Sequence, residues 1–227
     1  MTAVERRART LAGIPLLSAL SRRDLLVLAR IARPRKYRRH DTIITAEEPG
    51  TAFFLLTAGV LRVSAEGTRG RGAALGLLYP YEFFGEMALL DGLPRSATVT
   101  ALTDSEVLVI PRSTFLRCIR EAPGLAATMI VTLSMRLRSA DEKVRSLMFV
   151  PAPRRVARTL LDLTRGREPV DGTLTVTLPF TRRELAEVAG VSRETFTRIV
   201  ARLSRAAVVR LEGRSLTVLD RARLASM

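Results

Sequence analysis

The apolar and polar positions change period twice along the chain. Near the start, Pro15-Leu16-Leu17 leads to Ser21, a helix N-cap by residue type, and Leu25, Leu26, Leu28, Ala29 and Ile31 then recur at helical spacing until Pro34. From Tyr37 to Pro111 the pattern becomes short runs at 42–45, 52–56, 60–64, 73–78, 97–101 and 106–110, separated by Gly, Pro and Asp turns. So many short strands predict a β-barrel, jelly roll or similar closed sheet.

After Pro123 the helical period returns. Ala126, Ile130, Leu133, Leu137, Ala140, Val144 and Leu147 alternate spacings of four and three, an a/d seam. With Ile130, Leu137 and Val144 at a, Arg136 falls at g and Asp141 at the following e, the spacing at which parallel helices pair charges across an interface. The seam predicts a parallel homodimer; the alternative is one amphipathic helix packed on its own β domain. Pro151 and Pro153 end this helix and mark a hinge, residues 154–163 read as helix, Asp171-Gly172 as a turn, and 173–178 as a strand with Leu174, Val176 and Leu178 on one face.

Thr181-Arg182-Arg183-Glu184 is a capping box that starts a helix to Ala189. Gly190 permits a left-handed turn, and Ser192 caps a second helix. Leu185, Ala189, Val191, Phe196 and Ile199 fall where a helix-turn-helix buries its contacts, with the small Ala186 at the crossing. On the second helix Phe196, Ile199, Val200 and Leu203 point inward, which leaves Arg193, Glu194, Thr197, Arg198 and Arg202 for solvent or a DNA groove. Glu194 and Arg198, four apart, suit a surface salt bridge; in a groove, arginine forks onto guanine and glutamate accepts from cytosine. The tail, 208–211 and 215–219 around Glu212-Gly213-Arg214, reads as a β-hairpin wing whose Arg210 and Arg214 lie in reach of phosphates or on a solvated surface.

Charge sharpens the picture. The 227 residues carry 37 Lys and Arg against 22 Asp and Glu, a net +15, and only Lys36 and Lys143 are lysines. Residues 1–150 hold 22 bases and 14 acids, residues 151–227 hold 15 and 8, so the last third is about twice as positive per residue. An arginine excess there favours a nucleic-acid partner, although an Arg-rich codon bias gives the same ratio. Composition excludes other classes. With 47% hydrophobic residues and no Trp the core is aliphatic, and Cys118 and His40, single of their kinds, supply no zinc, haem or iron–sulfur ligand set. The same poverty argues against a phosphate-handling enzyme or metal catalysis. No stretch reaches the ~18 apolar residues of a membrane span, and Glu5, Arg6, Arg7 and Arg9 precede no signal-peptide core, so a soluble cytoplasmic protein without membrane contact is expected.

Gly190-Val191-Ser192-Arg193-Glu194-Thr195 followed by Arg198 resembles the recognition segment of the cyclic AMP receptor protein and fumarate-nitrate regulator family of bacterial transcription regulators. Upstream, Phe84-Gly85-Glu86-Met87-Ala88-Leu89-Leu90 and Pro94-Arg95-Ser96-Ala97-Thr98-Val99 are similar to that family's phosphate-binding cassette, so the resemblance covers nearly the whole chain. It implies an α+β protein: a jelly-roll-like β-roll sensor at 1–122, a dimerisation helix at 123–150 and a winged helix-turn-helix at 151–227. It further implies a homodimer that binds double-stranded DNA at a TGTGA-like inverted repeat, engages RNA polymerase and responds to cyclic AMP or a related nucleotide. Gly85 would let backbone approach the ligand, Glu86 accept from a ribose hydroxyl, Met87 and Ala88 offer backbone N–H groups, and Arg95 and Ser96 hold the phosphate. Taken alone, these residues suit a buried Arg95–Glu86 ion pair better. The family's adenine-holding Thr-Ser pair is replaced by Ala140 and Asp141; Asp141 suits either an exocyclic amine or the partner's Arg136. Tyr81 stands where the cassette commonly has a turn glycine, which predicts a different loop there. Thr181, Ser192 and the wing arginines complete the expected DNA contacts. A second reading is a ligand-independent regulator of the same family with a degenerate pocket.

Overall fold

The computed structural model describes residues 1–65, 73–164 and 173–227. These form two compact units, Met1–Ala140 and Asp141–Met227. The expected turn at Asp171-Gly172 lies outside the described residues.

The first unit opens with helices α1 (Ala3–Ala12) and α2 (Arg22–Ile31), joined through a 3₁₀ turn at Pro15–Leu17. Ser21 caps α2 through the Asp24 backbone N–H, as expected. Helix α1 goes beyond the expected elements, although its signal is legible: Thr2 and Glu5 form a reciprocal capping box. Among the described residues eight strands follow, β1 (Arg33–Tyr37), β2 (Thr42–Ile44), β3 (Ala52–Ala58), β4 (Leu61–Ala65), β5 (Ala73–Leu78), β6 (Phe83–Phe84), β7 (Thr98–Ala101) and β8 (Ser105–Pro111), with the one-turn helix α3 (Met87–Leu90) between β6 and β7. They pair antiparallel into two four-stranded sheets, ordered β1-β8-β3-β6 and β2-β7-β4-β5. The expected closed sheet is therefore a β-roll of two sheets.

Strand β3 shows why its sequence is apolar without alternation. Phe54 and Leu56 join Ile44, Leu61, Leu78, Phe84, Val99, Ala101 and Val107 in the core between the sheets. Phe53 and Leu55, one step along the pleat, face the opposite way into a cluster with α1, α2, α4 (Arg112–Glu121) and the first half of α5 (Pro123–Phe149). A strand covered on both sides needs apolar residues at every position. Stacking of Phe53 on Phe115 at 4.3 Å and of Phe54 on Phe84 at 5.0 Å fills the two layers. Strand β1 escapes a pattern search because Arg33, Pro34, Arg35 and Lys36 do not read as a strand. It is a sheet edge, where proline loses no ladder bond and charge discourages pairing with another chain.

Helix α5 runs 27 residues, as the seam predicts. The own-domain reading holds for its first part, and the residues of the predicted seam are largely exposed. Leu125 and Met129 are buried in the first unit's core with Leu133 partly packed beside them, whereas Ile130, Leu137, Val144 and Leu147 are 64%, 65%, 55% and 46% exposed. Among the described residues that stripe is left largely uncovered.

In the second unit α6 (Ala152–Asp162) follows Pro151 directly. Pro153 lies within the first turn of α6, where a missing N–H costs nothing. Next come β9 (Leu174–Thr177), α7 (Arg182–Val188), α8 (Arg193–Arg205), β10 (Val209–Glu212), β11 (Ser215–Val218) and a terminal helix α9 (Arg221–Ala225) that periodicity does not reveal. The expected wing hairpin β10–β11 gains β9 as a third strand, in the order β10-β11-β9. Among the described residues no helix is long and apolar enough to cross a membrane.

Candidate functional site

Two sites follow from these elements, one in each unit. In the first, the segment from β6 through α3 to β7 brings Gly85, Glu86, Met87, Ala88, Arg95 and Ser96 together. Gly85 has φ +79°, and a Cβ there would meet Arg95 Nη1 at 2.8 Å, Phe54 Cδ2 at 3.1 Å and Ile44 Cδ1 at 3.2 Å. Both the dihedral and the space demand glycine. Glu86 stands at the N-cap of α3, and no side chain caps the turn that the Met87 and Ala88 backbone N–H groups open. The Ser96 hydroxyl, exposed, lies 3.5 Å from Met87 Sδ, so the two halves of the cassette meet.

Arg95 does not point outward. It is 6% exposed, donates from Nη1 to Gly85 O (2.6 Å) and from Nη2 to Ala52 O (2.7 Å), and its guanidinium carbon lies 5.7 Å from the centre of the Phe54 ring. Burial lowers its pKa from the ordinary arginine value, opposed by the charges of Glu86 and Glu48. The ion pair on Glu86 is made by a different arginine. Arg136 of α5 donates from Nη1 to Glu86 Oε1 (3.1 Å) and from Nη2 to Phe83 O (2.5 Å), with its guanidinium 4.2 Å from the Phe83 ring centre. One expectation is corrected here: Arg95 and Glu86 are not hydrogen-bonded partners, and the arginine on Glu86 is Arg136 of the same chain. A signal for Arg136 exists in the sequence: Leu125, Met129, Leu133 and Arg136 share the helical face that packs on the β-roll.

Tyr81 departs from expectation too. It adopts φ +74°, the left-handed conformation a glycine would take, and its N–H donates to Leu56 O at 2.8 Å, so the turn is kept despite the side chain. Ala140 and Asp141 lie on α5 and are exposed.

The second site is built on α7 and α8. Thr181 Oγ1 accepts from the Glu184 backbone while Glu184 Oε2 accepts from the Thr181 backbone, the reciprocal box the sequence predicts. Gly190 has φ +65° and Ser192 caps α8 through the Thr195 N–H. Phe196, Ile199, Val200 and Leu203 are buried, and Arg193, Glu194, Thr197, Arg198 and Arg202 are exposed, so one face of α8 anchors and the other is presented. Local bonding gives the hydroxyls a structural role. Ser192 donates to Thr195 Oγ1, and Thr197 donates to Arg193 O, which leaves Thr197 able only to accept from a ligand. In the wing, Arg210 is exposed, 3.9 Å from Glu212, and Arg214 is exposed beside Gly213 at the hairpin turn. Arg182 Nη2 donates to Leu211 O and so ties α7 to the wing.

Sequence reasoning does not single out Arg155. Its guanidinium donates to Val150 O (2.7 Å), Ala189 O (3.2 Å) and Gly190 O (2.9 Å). In a chain with so many arginines nothing in the sequence marks it.

The known proteins to which the chain is similar agree with this layout. A family model described as a cyclic nucleotide-binding domain matches residues 34–122, and one described as a Crp-like helix-turn-helix domain matches residues 154–227. The cyclic AMP receptor protein of Thermus thermophilus is 36% identical over 200 residues, 88% of this chain and 89% of that protein. The CRP-like cAMP-activated global transcriptional regulator of Mycobacterium tuberculosis is 29% identical over 202 residues, covering 88% and 90%. Among solved structures, FixK2 from Bradyrhizobium japonicum superposes with a TM-score of 0.74 at 25% identity, covering 86% of this chain and 96% of that one. A β-roll with a nucleotide-binding cassette, joined by one long helix to a winged helix-turn-helix, places this chain in the cyclic AMP receptor protein and fumarate-nitrate regulator family of bacterial transcription regulators.

Proposed function

We propose that this regulator works as a homodimer in the cytoplasm, not as an enzyme, pairing through the exposed stripe of α5. It reads a TGTGA-like inverted repeat with α8, contacts RNA polymerase and is controlled by a cyclic nucleotide of the cyclic AMP type held in the β-roll. The observation that carries the DNA reading is the exposed row Arg193, Glu194 and Arg198 on a helix whose other face is buried. The two arginines contact guanines bidentately and Glu194 accepts from the cytosine opposite, while Arg202, Arg210 and Arg214 hold phosphates. Selection from random DNA tests this. Glu194→Ala should relax preference at one base pair, at about 1 to 3 kcal/mol, while Arg214→Ala should weaken all sequences alike and flatten the salt dependence by about one unit of slope. A selected motif altered by Arg214→Ala and untouched by Glu194→Ala would reverse the assignment.

For the effector, the residues fit an anionic phosphodiester bearing a hydroxyl. The uncapped Met87 and Ala88 N–H groups and the Ser96 hydroxyl supply neutral donors, and the Glu86 carboxylate supplies an acceptor. Ala140 and Asp141, in place of hydroxyl residues, leave the base to the Asp141 carboxylate, which accepts from an exocyclic amine. On binding, Arg95 exchanges its bonds to Gly85 O and Ala52 O for the phosphate. Calorimetry with cyclic AMP and cyclic GMP is the test: Arg95→Leu should weaken binding about 10- to 150-fold. The second reading, a ligand-independent regulator, is favoured by the same geometry, because Arg95 and Glu86 already have protein partners. Wild-type protein that binds DNA fully and shows no heat with any cyclic nucleotide would establish it.

A further inference from the structure

The geometry points to Arg155 as a positioning residue that fixes the reading helix against the end of α5 and thereby sets the spacing at which a dimer reads its two half-sites; this rests on the dimer proposed above. Three backbone carbonyls converge on its guanidinium. Val150 O belongs to the chain leaving the C-terminus of α5, while Ala189 O and Gly190 O belong to the turn between α7 and α8. Two helix C-termini, those of α5 and α7, thus point their unpaired carbonyls and negative dipole ends at one cation. The planar fork suits this arrangement. It presents several donors at fixed angles, so Nε, Nη1 and Nη2 each meet a different carbonyl, which an ammonium on a flexible stem cannot reproduce.

A second contact reinforces the clasp. Gly190 lies so close to α5 that a Cβ on it would stand 2.4 Å from Leu147 Cδ2. Leu147 on one side and Arg155 on the other therefore hold the turn that launches α8. Pro151 and Pro153 at the start of α6 restrict the backbone that carries Arg155. None of these groups faces DNA in the reading above: Arg155 is half-buried, and its donors are turned onto carbonyls. Base preference within one half-site depends on the exposed face of α8. Spacing between half-sites depends on how α8 is held relative to α5, since α5 carries the dimer seam. The clasp acts on the second quantity.

The experiment measures binding of full-length protein to a DNA library of inverted repeats with variable spacers, and to single half-sites, for wild type and for Arg155→Lys and Arg155→Gln. The expected result is that wild type discriminates against one inserted or deleted base pair and that both variants lose about fivefold or more of this discrimination, while half-site base preference stays the same. An uncoupled reading head tolerates more spacings. A parallel fall in affinity for every spacer, with the profile unchanged, would mean that Arg155 only stabilises the fold and would overturn the proposal, as would variants identical to wild type. A wild type without spacing preference would overturn the dimer reading and this proposal with it; a lost preference in the variants alone cannot arise that way. Arg155→Lys keeps a cation at the two helix ends, so it distinguishes loss of the fork from loss of charge.

Discussion

Gly190→Val should leave the first unit intact and disable the second. At φ +65° an L-residue costs about 1 to 2 kcal/mol, and a β-branched one sits at the upper end. The side chain also enters space held by Leu147, whose Cδ2 would lie 2.4 Å from the new Cβ. Overpacking of this kind costs about 1 to 3 kcal/mol, so the sum is about 2 to 5 kcal/mol, a large fraction of the ~5 to 15 kcal/mol that holds a domain together. The two contributions separate experimentally. Leu147 is 46% exposed and has room to turn aside from a single methyl, so Gly190→Ala should lose mainly the dihedral part, and adding Leu147→Ala to Gly190→Val should restore the steric part alone. Thermal unfolding of the C-terminal unit and DNA affinity are the readouts. Full affinity in Gly190→Val would mean that the turn is not held as described.

The two units differ in how much their sequences disclose. In the C-terminal unit each local rule acts on neighbours: Thr181 caps with Glu184, Ser192 with Thr195, and Gly190 turns between them. Interactions over three or four residues are visible in a string of letters, so the helix-turn-helix is legible almost to the residue. The β-roll is legible as strands but not as sheets, because pairing such as β3 with β8 joins residues more than fifty positions apart at one end of the ladder. The cassette shows the same limit. Spacing locates Gly85, Glu86, Arg95 and Ser96 but says nothing of where guanidinium groups turn. Arg95 turns inward to carbonyls of Gly85 and Ala52, and Arg136, fifty residues beyond Glu86, takes the carboxylate. An arginine's partner is decided by burial, since a desolvated guanidinium must satisfy its donors wherever the fold offers acceptors. Arg155 is invisible in the sequence for that reason. Tyr81 misleads in the opposite direction: the fold imposes φ +74° on it and absorbs the strain, so the residue type is a poor guide to the backbone.

Leu137→Asp should convert the protein into a folded monomer with greatly weakened binding to the inverted repeat. The side chain is 65% exposed, so a carboxylate there meets water and leaves the fold of the single chain undisturbed. Its neighbours on the stripe, Ile130, Val144 and Leu147, are exposed as well, which makes a patch too apolar to leave uncovered on a helix whose adjacent face already serves the core through Leu125 and Met129. In a paired seam the two new carboxylates would face each other out of water, at a cost of several kcal/mol that the aliphatic stripe around them does not offset. Loss of pairing removes the second reading head's effective concentration, so affinity for a full inverted repeat should fall by about 10²- to 10⁴-fold, while affinity for a half-site is unchanged. Light scattering should give half the wild-type mass with an unaltered helical circular dichroism signal. Retention of the dimer with full DNA affinity would place the interface on another surface, and the exposed stripe of α5 would then need a different occupant.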